Sequence, residues 1–196
     1  PRVQRPMTKP RTFFASEADD EVHARAVQVI DQLSPVASDM KWVAPENLHW
    51  TVQFLGDVTD EVMAEVCLLT SRIAARHEPF SLTAQGVGAF PKPERPRTLW
   101  LGAGAGSDAL CSLQDELEEA LCELGFRPEH RRYVPHLTLG RVGRHAHAGP
   151  ALVEELATLA RFDGGTMAVD EVTVYGSELE RGGPVYHVLA RAPLSG

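Results

Sequence analysis

The sequence predicts an α+β fold, in which antiparallel sheets are covered on the outside by helices. Along the chain, segments of alternating polar and apolar residues, typical of strands, are interspersed with segments whose apolar residues recur every three or four positions, typical of helices. The strand segments lack the continuous apolar runs of a parallel sheet buried on both faces, which favours antiparallel sheets covered on one face. The 196 residues, 43% of them hydrophobic and 23% charged, can bury a core without disulfides or bound metal.

Two helices are predicted in the N-terminal half of the chain. One is predicted from about Asp19 to Pro35 and the other over Asp60–Ala75, because apolar residues return there at helical spacing and proline ends the first. Short apolar segments bounded by glycine, proline or charged residues predict the strands around them. These strands are Arg11–Ser16, Lys41–Val43, His49–Leu55 and Phe80–Ala84.

The C-terminal part contains the clearest helix, over Asp108–Leu124. Its leucines step by three and four positions, and its acidic residues form the opposite, solvated face. The elements predicted around it are strands at Thr98–Leu101 and His136–Arg141, a short helix with Leu152, Leu156 and Leu159, and strands near Met167–Tyr175 and Val185–Arg191. Residues 1–10 are expected to be a disordered lead-in, and residues 11–196 one bilobal domain.

Charge and composition exclude several classes of protein. The formal net charge of −8 argues against a protein that coats itself with nucleic acid, so an anionic substrate needs a local basic patch. No apolar run is long enough to span a bilayer, and no membrane partner is expected. Three dispersed cysteines without a pairing pattern are typical of reduced thiols in a cytoplasmic protein.

One pattern, histidine–apolar–threonine–apolar, occurs in two of the predicted strands. It is His49-Trp-Thr-Val in the first half of the chain and His136-Leu-Thr-Leu in the second, 87 positions later. Because residues i and i+2 of a strand share a face, the histidine and threonine of each copy lie together. The apolar residues between them, and Phe54 beyond the first copy, are predicted to point into a core. A proline-containing loop precedes each copy and a helix follows it, which indicates a duplicated lobe folded face to face.

Two facing histidines suit acid–base chemistry near neutral pH. One imidazole can take a proton from an attacking oxygen while the other gives a proton to a leaving oxygen. The hydroxyls of Thr51 and Thr138 can donate to phosphate oxygens without adding a fixed positive charge. The residues alone do not separate the acid from the base, because the two motifs are nearly symmetrical. A lone histidine on a half-exposed strand is more often a satisfied polar group, but the matched pair favours catalysis.

The segment from Arg127 to His147 is the local basic patch that the net charge requires. It holds five arginines, four histidines and one glutamate, and either RNA contact or loop solubility explains any single member. Arg141 is the best candidate for a phosphate contact, although strict alternation places it on the core face unless the strand ends or bulges. Arg132 and Tyr133 could hold a nucleotide by stacking, with core packing of Tyr133 as the alternative.

A metal site is not expected. His145 and His147, together with His130, have no carboxylate or cysteine at ligand spacing.

The two motifs and their surroundings resemble the two-histidine (2H) phosphoesterases. The nearest group is the RNA 2′,3′-cyclic phosphodiesterases, also named 2′-5′ RNA ligases. The similar segments are Pro45-Glu-Asn-Leu-His-Trp-Thr-Val-Gln-Phe-Leu-Gly56, Gly88-Ala-Phe-Pro91, Pro96-Arg-Thr-Leu-Trp100 and Pro135-His-Leu-Thr-Leu-Gly-Arg141. The resemblance covers about residues 11–192; the tail of the family's last strand has no clear match, and the lead-in before Arg11 is extra.

The resemblance implies a bilobal fold with a pseudo-two-fold axis, whose two antiparallel sheets form a V-shaped cleft. It implies hydrolysis of RNA 2′,3′-cyclic phosphate ends, or of small cyclic nucleotides, to 2′-phosphates by a monomer without a cofactor. By analogy, His49 is the general acid, His136 the general base, and Thr51 and Thr138 hold the phosphate oxygens. Two alternatives are the reverse reaction, which joins RNA ends by a 2′-5′ bond, and a non-catalytic RNA- or nucleotide-binding module.

Overall fold

Nine strands and four α-helices alternate along residues 11–143 and 149–196, the part of the chain that the computed structural model describes. The lead-in expected for residues 1–10 lies outside the described residues. The strands are β1 (Arg11–Glu17), β2 (Met40–Trp42), β3 (His49–Asp57), β4 (Phe80–Phe90), β5 (Thr98–Ala103), β6 (His136–Val142), β7 (Asp163–Val169), β8 (Glu171–Glu180) and β9 (Gly183–Pro193). The helices are α1 (Asp20–Leu33), α2 (Asp60–Ala74), α3 (Ser107–Glu123) and α4 (Pro150–Thr158).

The strands pair in the order β7-β4-β5-β6-β3-β1-β8-β9, and the short β2 pairs with β6. All of these pairings are antiparallel. The two motif strands, β3 and β6, lie at the centre and are joined by one residue pair, Trp50 with Leu137. The predicted α+β class is therefore confirmed, and the two predicted sheets are halves of one strand path that meet at this junction.

The helices form because each presents one apolar face to this sheet. In α1, Val22, Ala26, Val29 and Leu33 are fully buried, and the Asp19 side chain accepts a hydrogen bond from the Val22 amide at the N-terminus. In α3 the predicted leucine face is buried, and the helix packs beside α2 and contacts β3. Both halves of the sheet share one continuous hydrophobic core.

Two strand predictions are corrected by the structure. The strand predicted over Met167–Tyr175 is two strands, because β7 ends at Val169, Asp170 intervenes, and β8 pairs with β1 at the opposite side of the sheet. The strand predicted at Phe80–Ala84 continues to Phe90, through glycines that weaken the sequence signal. One of them, Gly88, packs against the indole ring of Trp100, which a β-carbon would meet at 2.4 Å.

None of the described helices is long and apolar enough to cross a bilayer. The three cysteines are free thiols.

Candidate active site

The junction of β3 and β6 brings the two predicted motifs together. Trp50 and Leu137 are fully buried beneath it, while the histidine and threonine of each motif are half-buried on the other face. In each strand the threonine lies two residues after the histidine and shares its face, and the pair Trp50 with Leu137 sets the two motifs side by side. We call the surface formed by these four side chains the histidine face.

Both histidines are anchored in the same way. His49 Nδ1 donates to the carbonyl of Asn47, and His136 Nδ1 donates to the carbonyl of Val134, each at 2.7 Å. Because a carbonyl only accepts hydrogen bonds, both neutral rings carry their proton on Nδ1. Nε2 is therefore the nitrogen that can accept a proton or, once protonated, donate one.

Aromatic rings surround the two imidazoles. The Phe13 and Tyr186 rings lie 5.0 and 5.5 Å from that of His49, and the Phe90 ring lies 5.1 Å from that of His136, measured between centroids. Burial lowers the pKa of both histidines, and the hydrogen bonds to the backbone carbonyls partly oppose this effect. The positive charge of Arg141 lowers both pKa values further, and His136 adds a small lowering at His49.

A β-bulge places Arg141 beside the histidine pair. Leu99 pairs with Gly140 and Trp100 with Thr138, so Leu139 is an extra residue in β6 and the alternation reverses after it. This meets the condition that the sequence set for a phosphate contact by Arg141. Gly140 permits the bulge against β2, because a β-carbon there would lie 2.8 Å from Met40 Cγ and 2.9 Å from Trp42 Cε3.

A similar irregularity in β3 corrects the prediction for Phe54. The pairs Thr51 with Ala15 and Gln53 with Phe14 leave Val52 as an extra residue. Gln53 is consequently buried, where it accepts a hydrogen bond of 2.6 Å from Gln114 of α3. Phe54 is 54% exposed instead of buried, and its ring lies 5.7 Å from that of Phe13.

Tyr133 connects the two motifs. Its ring packs against the core, and its hydroxyl donates to the backbone carbonyl of Thr51 at 2.8 Å. Burial raises the pKa of this hydroxyl, so it remains protonated and keeps its donor role. These contacts favour the packing alternative over base stacking.

Arg132 is not brought to the histidine face. Arg132 is exposed and lies near Cys111 of α3, where its charge partly opposes the rise in the thiol pKa caused by burial and by Asp115 and Asp108. Part of the basic patch, residues 144–148 with His145 and His147, lies outside the described residues. No cluster of metal-ligating side chains is present in residues 11–143 and 149–196.

The sequence reasoning missed the aromatic neighbours of the histidines. Phe13, Phe90 and Tyr186 belong to β1, β4 and β9, which the fold brings to the histidine face from distant parts of the chain. Of these, only Phe90 had a signal, since it lies in a segment that resembles the family pattern. Asn47 lies in another such segment, but nothing in the sequence indicated that its backbone carbonyl would anchor His49.

Comparison with known proteins gives a consistent result. The model of the 2′-5′ RNA ligase superfamily matches residues 11–180. An RNA 2′,3′-cyclic phosphodiesterase of Aeropyrum pernix is 37% identical over 166 residues, covering 84% of this chain and 92% of that protein. One of Methanothermobacter thermautotrophicus is 35% identical over 178 residues, covering 91% and 95% of the two chains.

Solved structures show the same relationship. A Thermus thermophilus protein superimposes with a TM-score of 0.80 at 28% identity, covering 95% of this chain and 98% of that one. LigT of E. coli, complexed with 3′-AMP, superimposes with a TM-score of 0.76 at 29% identity, covering 95% and 99%. Because the family model matches most of its length and these relatives are similar over nearly all of it, the chain belongs to the 2′-5′ RNA ligase superfamily of 2H phosphoesterases.

Proposed function

We propose that this protein hydrolyses the 2′,3′-cyclic phosphodiester at RNA ends to a 2′-phosphomonoester, using two histidines as general acid and base and no metal ion. The observation that supports this most directly is the matched anchoring of His49 and His136. In both rings Nδ1 donates a hydrogen bond to a backbone carbonyl at 2.7 Å. The two equivalent Nε2 atoms are therefore the nitrogens that can exchange protons with a substrate on the histidine face. Relatives named RNA 2′,3′-cyclic phosphodiesterase, at 31–37% identity, supply the substrate class.

The reaction requires the two histidines in opposite protonation states. Nε2 of the neutral histidine takes a proton from water as the water oxygen bonds to phosphorus. The bond from phosphorus to O3′ breaks, and the protonated histidine gives its proton to O3′. Family analogy makes His136 the base and His49 the acid. The proton count balances, because one histidine gains the proton that the other loses.

Charge on the phosphate is met by neutral donors and one cation. We assign the Thr51 and Thr138 hydroxyls to the non-bridging oxygens, because each threonine lies on the histidine face two residues after the histidine of its own motif. Arg141 supplies the positive charge, and its effect on the pKa values of both histidines indicates that it acts on the same place. Such a site handles the charge without a divalent ion.

The family description also names 2′-5′ RNA ligation, which opens the same cyclic phosphate with a different nucleophile. A 5′-hydroxyl would take the place of water, and the two histidines would act in the same pairing. Water is present in great excess over RNA 5′-ends, so hydrolysis is the forward function that we propose. A purely binding module would need neither acid nor base.

The test is hydrolysis of a 2′,3′-cyclic-phosphate oligonucleotide in EDTA, with the product isomer identified by phosphorus NMR. Turnover should persist in EDTA and yield the 2′-phosphate. His49→Ala and His136→Ala should each lower turnover by at least about 100-fold, and the double variant should be little worse than either. The control is His187→Ala, which changes an exposed histidine of β9. Near-normal turnover in either single variant, or loss in EDTA with rescue by a divalent ion, would contradict the proposal.

A further inference from the structure

A second concave surface adjoins the histidine face. It is a cavity of about 500 Å³ at His49, within the range of roughly 300–1,000 Å³ typical of small-molecule sites. It lies between the end of β1, the first turn of α1, the segment at residues 45–48 and the β8–β9 hairpin. Among the described residues, His49 lines it, but His136, the two motif threonines and Arg141 do not.

The walls of this cavity suit a flat, partly apolar ligand. The half-buried Tyr186 lines it with Pro184 and Val185, and behind them Tyr175 is buried with its ring stacked on that of Phe13. The Tyr186 ring also stands edge-on to His49, so the cavity lies next to the position of the reacting phosphate. The Asn47 side chain donates to the Pro184 carbonyl at 3.1 Å and thereby ties the hairpin to the segment that carries His49.

The charges of the cavity are opposite to those of the histidine face. Glu17 and Glu46 line it, and no described lysine or arginine does. Glu17 is already held by the Tyr175 hydroxyl and by Arg191, whereas Glu46 is exposed and forms no ion pair within the described part of the chain. A phosphate is repelled here and drawn to Arg141. A group that offers amino or hydroxyl hydrogens to a carboxylate is favoured.

We propose that this cavity is a nucleoside subsite, with the base against Tyr186 and the Glu46 carboxylate accepting a hydrogen bond from an exocyclic amine. The proposal rests on the proposed function and adds a specificity to it. Cytosine, adenine and guanine carry such an amine and uracil does not, so uridine is the disfavoured nucleoside. The ligand is either the nucleoside that bears the cyclic phosphate or its 5′ neighbour in the RNA.

The experiment compares 2′,3′-cyclic CMP with 2′,3′-cyclic UMP, and the dinucleotides CpC and UpC ending in the cyclic phosphate. Glu46→Gln should raise KM for the cytidine substrate about 3- to 10-fold, leave kcat within twofold, and leave the uridine substrate unchanged. Val185→Trp, which narrows the cavity from an exposed position, should raise KM about tenfold or more. Glu123→Gln, on the outer surface of α3, is the charge-matched control, and thermal melting confirms that each variant folds.

The two sources of the nucleoside are separated by the substrates. An effect on mononucleoside substrates assigns the cavity to the nucleoside bearing the ring, and an effect confined to dinucleotides assigns it to the neighbour. Unchanged KM in both variants for every substrate overturns the proposal. If the wild-type protein hydrolyses none of them, the proposed function fails. Calorimetric binding of 2′-CMP and 2′-UMP to wild type and Val185→Trp then decides the subsite alone: weaker binding to the variant supports it, and equal binding overturns it.

Discussion

Replacing Tyr133 by phenylalanine removes one hydroxyl from the contact between the two motifs and keeps the ring. The hydroxyl donates to the Thr51 carbonyl at 2.8 Å, and its loss leaves a shielded backbone acceptor without that donor. Because this hydrogen bond is part-buried, its loss should cost about 0.5–1.5 kcal/mol of unfolding free energy, the net value of a typical hydrogen bond. At about 2–4 °C per kcal/mol for a chain of this size, Tm should fall by about 1–6 °C.

Activity should fall with this substitution, because Thr51 and its neighbour His49 lose a fixed point on β3. Urea unfolding gives the stability change, and kcat/KM on a 2′,3′-cyclic nucleotide gives the functional one. Tyr186→Phe is the matched control for stability, since no hydrogen bond from its hydroxyl is found among the described residues. If Tyr133 instead stacks on a base, phenylalanine would replace it with no loss of activity. Unchanged Tm and unchanged kcat/KM would refute the role of the hydroxyl as a connection between the motifs.

Four further predictions concern the histidine face and the bulge in β6. Thr51→Val and Thr138→Val should each lower kcat about tenfold or more by removing a phosphate donor, without moving the pH profile, as single-turnover rates would show. The profile of kcat/KM against pH should be bell-shaped with its maximum below pH 6.5, because burial lowers the pKa values of both histidines. Activity should fall on the acid side, where both rings are protonated, and on the alkaline side, where both are neutral. Arg141→Met removes a charge that lowers both pKa values and should move the bell to higher pH; an unmoved bell would place Arg141 away from the pair. Gly140→Ala should lower stability and kcat together, because its β-carbon meets β2 at 2.8 Å and the bulge must shift; wild-type melting and turnover would contradict this.

The sequence indicated the elements that carry the site because their patterns are local. A histidine and a threonine two positions apart on a strand share a face whatever the rest of the fold does, and the helices followed from apolar spacing. The partners of those strands were beyond reach. Phe13 and Tyr186 reach His49 from β1 and β9, which lie far from it along the chain.

The two bulges show why alternation alone misplaces particular side chains. A single extra residue, Val52 or Leu139, reverses the faces of the residues that follow it, and neither residue is of a type that marks a bulge. Phe54 was consequently assigned to the core, and Arg141 had only a conditional place beside the phosphate. The break at Asp170 was missed for a related reason, since the apolar pattern runs on across two strands that pair with different neighbours.

The single residue pair between β3 and β6 also determines which stability matters for catalysis. Each half of the sheet carries one histidine and one threonine, so neither half alone holds a complete acid–base pair. The free energy that keeps the pair together is that of the junction, the Tyr133 bond to Thr51 and the core packed around them, which is only part of the free energy that keeps the whole chain folded. Substitutions that strengthen the outer strands can therefore raise the melting temperature and leave resistance to inactivation as it was. Residual activity therefore reports whether the β3–β6 junction is intact, whereas circular dichroism reports the secondary structure of the whole chain.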